Sequence, residues 1–195
     1  MENICWKYAI LFCNKLSYIA GLESCYDPDT FECDFNKNGF RLPTEAEWEY
    51  ACRAGTTTDY NTGDSPGDMD SAGWSTNNSY ERTHTVAEKE PNKWGLYDMH
   101  GNVRELCNDM YTAEYYRTSL SDNPYGPSDP KEPRLRCARG GSWYTDETKC
   151  RSSSRSFVIW DYVNSIYGYN ENNTYFNFTD CKIDVGFRVV RRAEP

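Results

Sequence analysis

The sequence predicts an α+β domain with little regular structure, and three observations point there. Apolar residues recur at helical steps twice in the first third of the chain. After residue 94 they gather instead into short runs with strand character. Long stretches rich in Gly, Asn, Asp, Ser and Thr separate these pieces. A chain of 195 residues suffices for one domain that buries its own core. No internal repeat or linker divides it, so residues 1–195 are read as a single domain.

The first helix is expected over residues 5–20. Trp6, Ala9, Ile10, Cys13, Leu16 and Ile19 fall at three- and four-residue steps, and Gly21 is the stop. The second begins at Thr44-Glu45-Ala46-Glu47, a capping box in which the Thr hydroxyl and the Glu carboxylate satisfy each other's backbone amides. Trp48, Ala51 and Cys52 would face inward, and Gly55 ends it. Residues 56–93 read as ordered loop. Strands are expected at Trp94–Met99, Val103–Cys107, Leu135–Ala138, Ser142–Tyr144 and Gly186–Arg191, with Arg139-Gly140-Gly141 as a bulge or tight approach.

Composition narrows the function. Lys plus Arg number 21 against 30 Asp plus Glu, a formal charge of −9, which argues against nucleic acid as a partner. No apolar run reaches the roughly 18 residues of a membrane span, so no membrane insertion is expected. The N-terminus lacks the basic and apolar regions of a signal peptide, and the compartment stays open. Two histidines, His84 and His100, exclude a three-histidine metal site within one chain. His100 reads as a structural hydrogen-bonding residue and His84 as a solvated loop residue. The nine cysteines show no CxxC spacing, so zinc ribbons and thioredoxin-type motifs are absent. Cys25 and Cys33 flank a turn-rich stretch and are a disulfide candidate, with two separate buried thiols as the alternative. Cys150 reads as a structural thiol or a disulfide partner, with Cys52, Cys137 and Cys181 as its candidates.

Four blocks carry a resemblance. Gly39-Phe40-Arg41-Leu42-Pro43-Thr44-Glu45-Ala46-Glu47-Trp48-Glu49-Tyr50-Ala51, Pro91 through Val103, Arg139-Gly140-Gly141-Ser142-Trp143 and Gly186-Phe187-Arg188-Val189-Val190 together resemble the formylglycine-generating enzyme (sulfatase-modifying factor) family. The resemblance implies a C-type-lectin-like fold of the formylglycine-enzyme subtype. It also implies some tens of residues ahead of the first helix, including a strand; the alternatives are that this chain is N-terminally shortened or that it dispenses with that strand.

The family's catalytic members oxidise a substrate cysteine to formylglycine with copper held by two thiolates, the soft ligands that Cu(I) prefers. Counted forward from Gly140, those positions fall on Thr145 and Cys150; counted back from Arg155, Cys150 misses the second position as well. Neither count supplies two cysteines, and only Cys181, from a distant loop, could complete the pair; this disfavours copper and leaves no catalytic residue to assign. The resemblance further implies a structural Ca²⁺ held by Asp98, the carbonyls of Gly101 and Val103, and Glu105. Paired carboxylates and carbonyls in a tight turn suit that hard cation; the alternative is that both acids only bond loop amides.

The stretch from 144 to 185 is unlike the rest. More than half of it is Tyr, Asn, Ser, Thr or Asp, and no helical or strand period survives from Trp160 to Asp180. Tyr and Trp offer wide contact area with few rotors to freeze, and Ser and Asn adapt their hydrogen bonds, so this is the composition of a recognition surface. It also resembles the variable proteins of diversity-generating retroelements, which vary a segment just before a terminal Gly-Phe-Arg strand. The expected ligand surface comprises Trp143, Tyr144, Thr145, Trp160, Tyr162, Asn164, Tyr167, Tyr169, Asn173 and Tyr175, presented to a protein or other surface ligand. The competing expectation is a copper-dependent formylglycine-generating oxidase acting on a peptide cysteine.

Overall fold

The computed structural model describes residues 2–127, 135–159 and 183–192. In chain order the elements are α1 (Trp6–Ile19), β1 (Phe40–Arg41), α2 (Glu45–Arg53), α3 (Pro66–Ala72), β2 (Gly73–Trp74), β3 (His100–Gly101), β4 (Arg104–Met110), α4 (Tyr115–Thr118), β5 (Leu135–Arg139), β6 (Arg155–Ile159), β7 (Val185–Gly186) and β8 (Val190–Arg191). One 3-10 turn, Glu147–Cys150, lies between β5 and β6.

A four-stranded sheet in the order β6-β5-β4-β7 is the centre. β5 runs antiparallel to both β4 and β6, and β7 runs parallel to β4. Because successive strand residues face opposite sides, neighbours in sequence serve different cores. Leu106 and Ala138 join Trp6, Ile10, Leu42, Val158 and Val185 beneath α1, whereas Cys107 and Cys137 join Trp48, Cys52 and Met99 beneath α2. Side-chain bonds fix α1: Asn14 donates to the Tyr26 carbonyl and accepts the Tyr26 amide, the Trp6 indole N–H donates to the Cys107 carbonyl at 3.0 Å, and Ser17 accepts the Phe40 amide at 2.7 Å. The Ser17 bond holds α1 against β1, which pairs antiparallel with β8.

Both expected helices form, α1 ending at an Ala20 cap before Gly21 and α2 carrying both halves of its capping box. The α2 N-terminus rests on a buried polar cluster. Glu45 accepts two 2.7 Å bonds from Arg155 and one at 3.2 Å from the Cys137 thiol, and lies 3.3 Å from Arg139. The buried Arg139 guanidinium also bonds Glu49 and the Ser154 carbonyl. Asp109 accepts the Glu45 amide at 2.8 Å through Oδ2, while its buried Oδ1 has no partner. Burial pushes the Asp109 carboxyl up to about 7.

Several expectations need correction. Residues 94–99 are not a strand: Asn92 accepts the Trp94 and Leu96 amides, curling the chain into a side-chain-capped turn. Residues 142–144 are likewise a turn, and 186–191 is split between β7 and β8. The loop 56–93 contains α3, capped by Ser65 and Asp68 in a second capping box. β6 has no counterpart among the expected strands. Cys25 and Cys33 are not bridged: both are free. Tyr26, not Cys25, stands opposite Cys33 in their antiparallel bridge, so the two thiols leave the ladder one step out of register. Cys52, Cys137 and Cys150 are also free, and Cys5 is disulfide-bonded. Among the described residues, no helix is long and apolar enough to cross a membrane.

Candidate functional site

β5 delivers Arg139 into the core and then turns sharply through Gly140 (φ 92°) and Gly141 (φ 68°). A side chain at Gly141 would collide with the Cys150 sulfur at 2.5 Å, so this position needs glycine on grounds of both dihedral and space. The turn presents Ser142 through Thr145. The Trp143 amide donates to the Asn102 carbonyl at 2.9 Å, and the ring meets Tyr144 edge-on at 5.4 Å, with Tyr144 itself exposed. Ser142 donates to Asp184 at 3.0 Å, and Asp184 also takes two bonds from Arg104. This clamp ties the turn to the residue immediately before β7.

The Thr145 hydroxyl donates to the Ser142 carbonyl at 3.0 Å. Its oxygen accepts the Ser142 amide at 2.8 Å, and the same oxygen sits 3.8 Å from the Cys150 sulfur. Cys150 is buried with Tyr60 and Met69, and burial pushes its thiol up to about 12. The structure brings Trp143, Tyr144 and Thr145 together. The other expected ligand residues, Trp160, Tyr162, Asn164, Tyr167, Tyr169, Asn173 and Tyr175, lie outside the described residues, as does Cys181.

A loop to which the sequence reading assigned no function frames the same turn. The Thr76 amide donates to the Thr145 carbonyl at 3.0 Å, Ser79 donates to the Trp143 carbonyl at 2.9 Å, and Asn77 donates to Glu147 at 2.6 Å. It carries exposed Tyr80 in a left-handed conformation (φ 53°). The Asn-Asn-Ser-Tyr composition at 77–80 was the available signal. His84 is not solvated: it stacks on Trp74 at 3.6 Å and bonds the Ser79 carbonyl at 2.8 Å. His100 is buried, its Nδ1 donating to the Cys150 carbonyl at 2.7 Å while Nε2 accepts the Asn61 amide at 3.1 Å. Burial lowers its pKa to about 4.

At the candidate Ca²⁺ position, Asp98 (φ 55°) accepts the Ala87 amide through Oδ2, and its buried Oδ1 has no partner. Burial raises its pKa, and the nearby Glu105 charge adds to that. Gly101 (φ 84°) and Asn102 (φ 62°) form the left-handed turn. Glu105 accepts the Trp48 indole at 2.7 Å and is engaged by Arg188 through both oxygens. Among the described residues no set of three His, Cys, Asp or Glu side chains is arranged around a metal position.

The sulfatase-modifying factor enzyme 1-like domain matches residues 1–193. The chain belongs to that family. Its structure also matches Treponema denticola variable protein 1, with a TM-score of 0.81 and 32% identity, over 99% of this chain and 71% of that one. With PvdO from Pseudomonas aeruginosa the TM-score is 0.70 at 22% identity, which shows the fold alone. The fold is the C-type lectin fold of the formylglycine-enzyme type. Among curated relatives, serine/threonine-protein kinase pkn1 of Chlamydia pneumoniae is 38% identical over 134 residues, 67% of this chain and 20% of the kinase. The formylglycine-generating enzyme of Streptomyces coelicolor is 37% identical over 128 residues, 57% of this chain and 38% of that enzyme. The chain thus spans well under two thirds of each of these curated relatives. In this sulfatase-modifying factor domain, the two positions that resemble the family's copper-holding pair face each other across 3.8 Å, as a hydroxyl and a thiol.

Proposed function

We propose that this domain is a non-catalytic binding module. In this reading the Trp143–Thr145 turn and the Tyr- and Asn-rich residues that precede β7 form its ligand surface. The observation that carries the proposal is the Thr145–Cys150 pair. A hydroxyl is a hard, neutral donor and does not replace a thiolate on Cu(I), and the remaining thiol is buried and held protonated. The likeness to Treponema denticola variable protein 1 over 99% of the chain supports the reading, as does the composition of the segment. Aromatic burial would supply affinity and Asn and Ser would supply specificity. We take the segment to be retroelement-diversified; a neighbouring reverse transcriptase gene and a near-copy of the coding stretch for residues 139–190 would accompany it.

The test uses peptides selected on the domain from a displayed random dodecapeptide library. Replacing Trp160 and Tyr162 together by Ala is expected to weaken their binding at least tenfold with the melting temperature nearly unchanged. Unchanged binding, or a collapse of stability showing that these rings are core, counts against the proposal. With copper, oxygen and a cysteine-bearing peptide, the domain is expected to yield no formylglycine. Thr145→Cys is expected to gain Cu(I) in competition with a chromogenic chelator, where the unaltered chain gains none. Formylglycine from the unaltered chain would establish the oxidase instead.

The orphaned Asp98 Oδ1 beside Glu105 fits a structural Ca²⁺, with the Gly101 and Val103 carbonyls completing the donor set. Asp98 would be the ligand that the ion relieves, since Glu105 already has Arg188. Millimolar Ca²⁺ is then expected to raise the melting temperature by several degrees and a chelator to reverse it. Asp98→Ala should abolish both responses; a wild-type domain indifferent to Ca²⁺ would rule the ion out.

A further inference from the structure

The helix α1 buries Trp6, Ala9, Ile10, Cys13 and Ser17. Its other side is apolar as well. Tyr8, Leu11, Phe12, Tyr18 and Ile19 are 50%, 37%, 40%, 74% and 70% exposed, and with Lys15 they recur at three- and four-residue steps. That is a second continuous stripe, in two successive heptads. A helix apolar on all sides is normally covered on all sides, and an apolar patch of several hundred Å² marks an interaction surface.

We propose that this stripe is a dimer interface, with α1 of one copy lying antiparallel on α1 of a second copy. Three arguments select a second copy as the occupant. The first is area: three aromatic rings and two aliphatic side chains exposed to this degree leave on the order of 500 Å² per copy. Two such faces together approach the roughly 1,000 Å² that a specific interface needs. The second is register. An axis between Cys13 and Asn14 sets Tyr8 opposite Ile19 of the other copy and Phe12 opposite Lys15, so that the whole stripe is paired. The Lys15 ammonium already rests 5.2 Å from the Tyr18 ring, and pairing would offer it a second aromatic face.

The third argument is charge. The chain carries −9, so two copies repel over most of their surfaces. Within α1 the charged residues are Lys7 and Lys15, with no Asp or Glu, so this helix is where two acidic molecules meet at least electrostatic cost. Phe12 is also held edge-on by Phe187 at 5.4 Å, which fixes one central ring of the interface before association.

Sedimentation velocity across the micromolar range tests the proposal on the whole chain. The unaltered protein is expected to approach twice the monomer mass, and Leu11→Glu and Tyr18→Glu to shift it at least tenfold in concentration toward monomer. Tyr18 is mostly exposed, so Tyr18→Glu should keep the melting temperature and near-ultraviolet dichroism of the folded domain even if Leu11→Glu does not. A monomer throughout the range overturns the proposal. So does a dimer indifferent to Tyr18→Glu, or a monomer that uses the same stripe to bind anionic phospholipid vesicles.

Discussion

Glu45→Ala is expected to be the most damaging single substitution in the domain, lowering its stability by about 3–5 kcal/mol. The carboxylate is fully buried, accepts two hydrogen bonds from Arg155 and forms an ion pair with Arg139. Removing it leaves two guanidinium groups in a low-dielectric setting, with Arg139 itself fully buried, and opens the space beneath the first turn of α2. Against a total stability of about 5–15 kcal/mol, the loss would leave a measurable unfolded fraction at ordinary temperature. Glu45→Gln keeps the volume and one acceptor, so it should fall between the two. Urea midpoints for the three proteins give the order directly. If Glu45→Ala costs no more than an exposed Glu→Ala substitution, the cluster is not holding α2 on the sheet.

The second large effect is in pH. Asp109 has its carboxyl raised to about 7 from the ordinary 3.8. A folded state that keeps its proton longer than the unfolded chain loses stability as pH rises through 3.8 to 7. His100 works in the opposite sense: its pKa is lowered to about 4 from 6.5, so its contribution is complete above 6.5 and is lost as pH falls toward 4. Between pH 4 and 6.5 the two slopes oppose each other, and the wild-type domain should respond little through these groups. Asp109→Asn removes the falling component. The variant should gain stability from pH 4 to 6.5 by about 3 kcal/mol, one pKa unit being about 1.4 kcal/mol, a rise on the order of 10 °C in melting temperature. At pH 8 it should melt above the wild type. Parallel profiles for the two proteins would show that Asp109 is ionised at ordinary pH.

Legibility of the fold in the sequence tracked the length of each element. α1 and α2 span enough turns for an apolar stripe to repeat, and Thr44 and Glu47 announce the start of α2. α3 carries the same signature at Ser65 and Asp68 but has only seven residues, too few for a stripe amid loop composition. Strands β1, β2, β3, β7 and β8 are two residues long, and an alternation cannot be seen in two residues. The reading at 94–99 failed because Asn92 overrides strand propensity with side-chain bonds to its own loop. In the site, the Thr145–Cys150 positions were legible only through the resemblance to the family, whose pair is counted from the Gly-Gly turn. The loop around Tyr80 was not legible, because nothing local says that Thr76 and Ser79 bond the turn at 143–145.

The segment from 160 to 182 leaves from β6 and returns at β7, the two outer strands of the sheet. β6 ends beside Leu135 and β7 begins beside Arg104, so the two anchor points lie at opposite ends of the sheet as well as on its opposite edges. Neither flanking strand depends on that segment for its place: β6 is paired along its length with β5, and Asp184, just ahead of β7, is clamped by Arg104 and Ser142. Under the proposed function, residues 160–182 would then be the part whose replacement leaves the framework's own bonds intact.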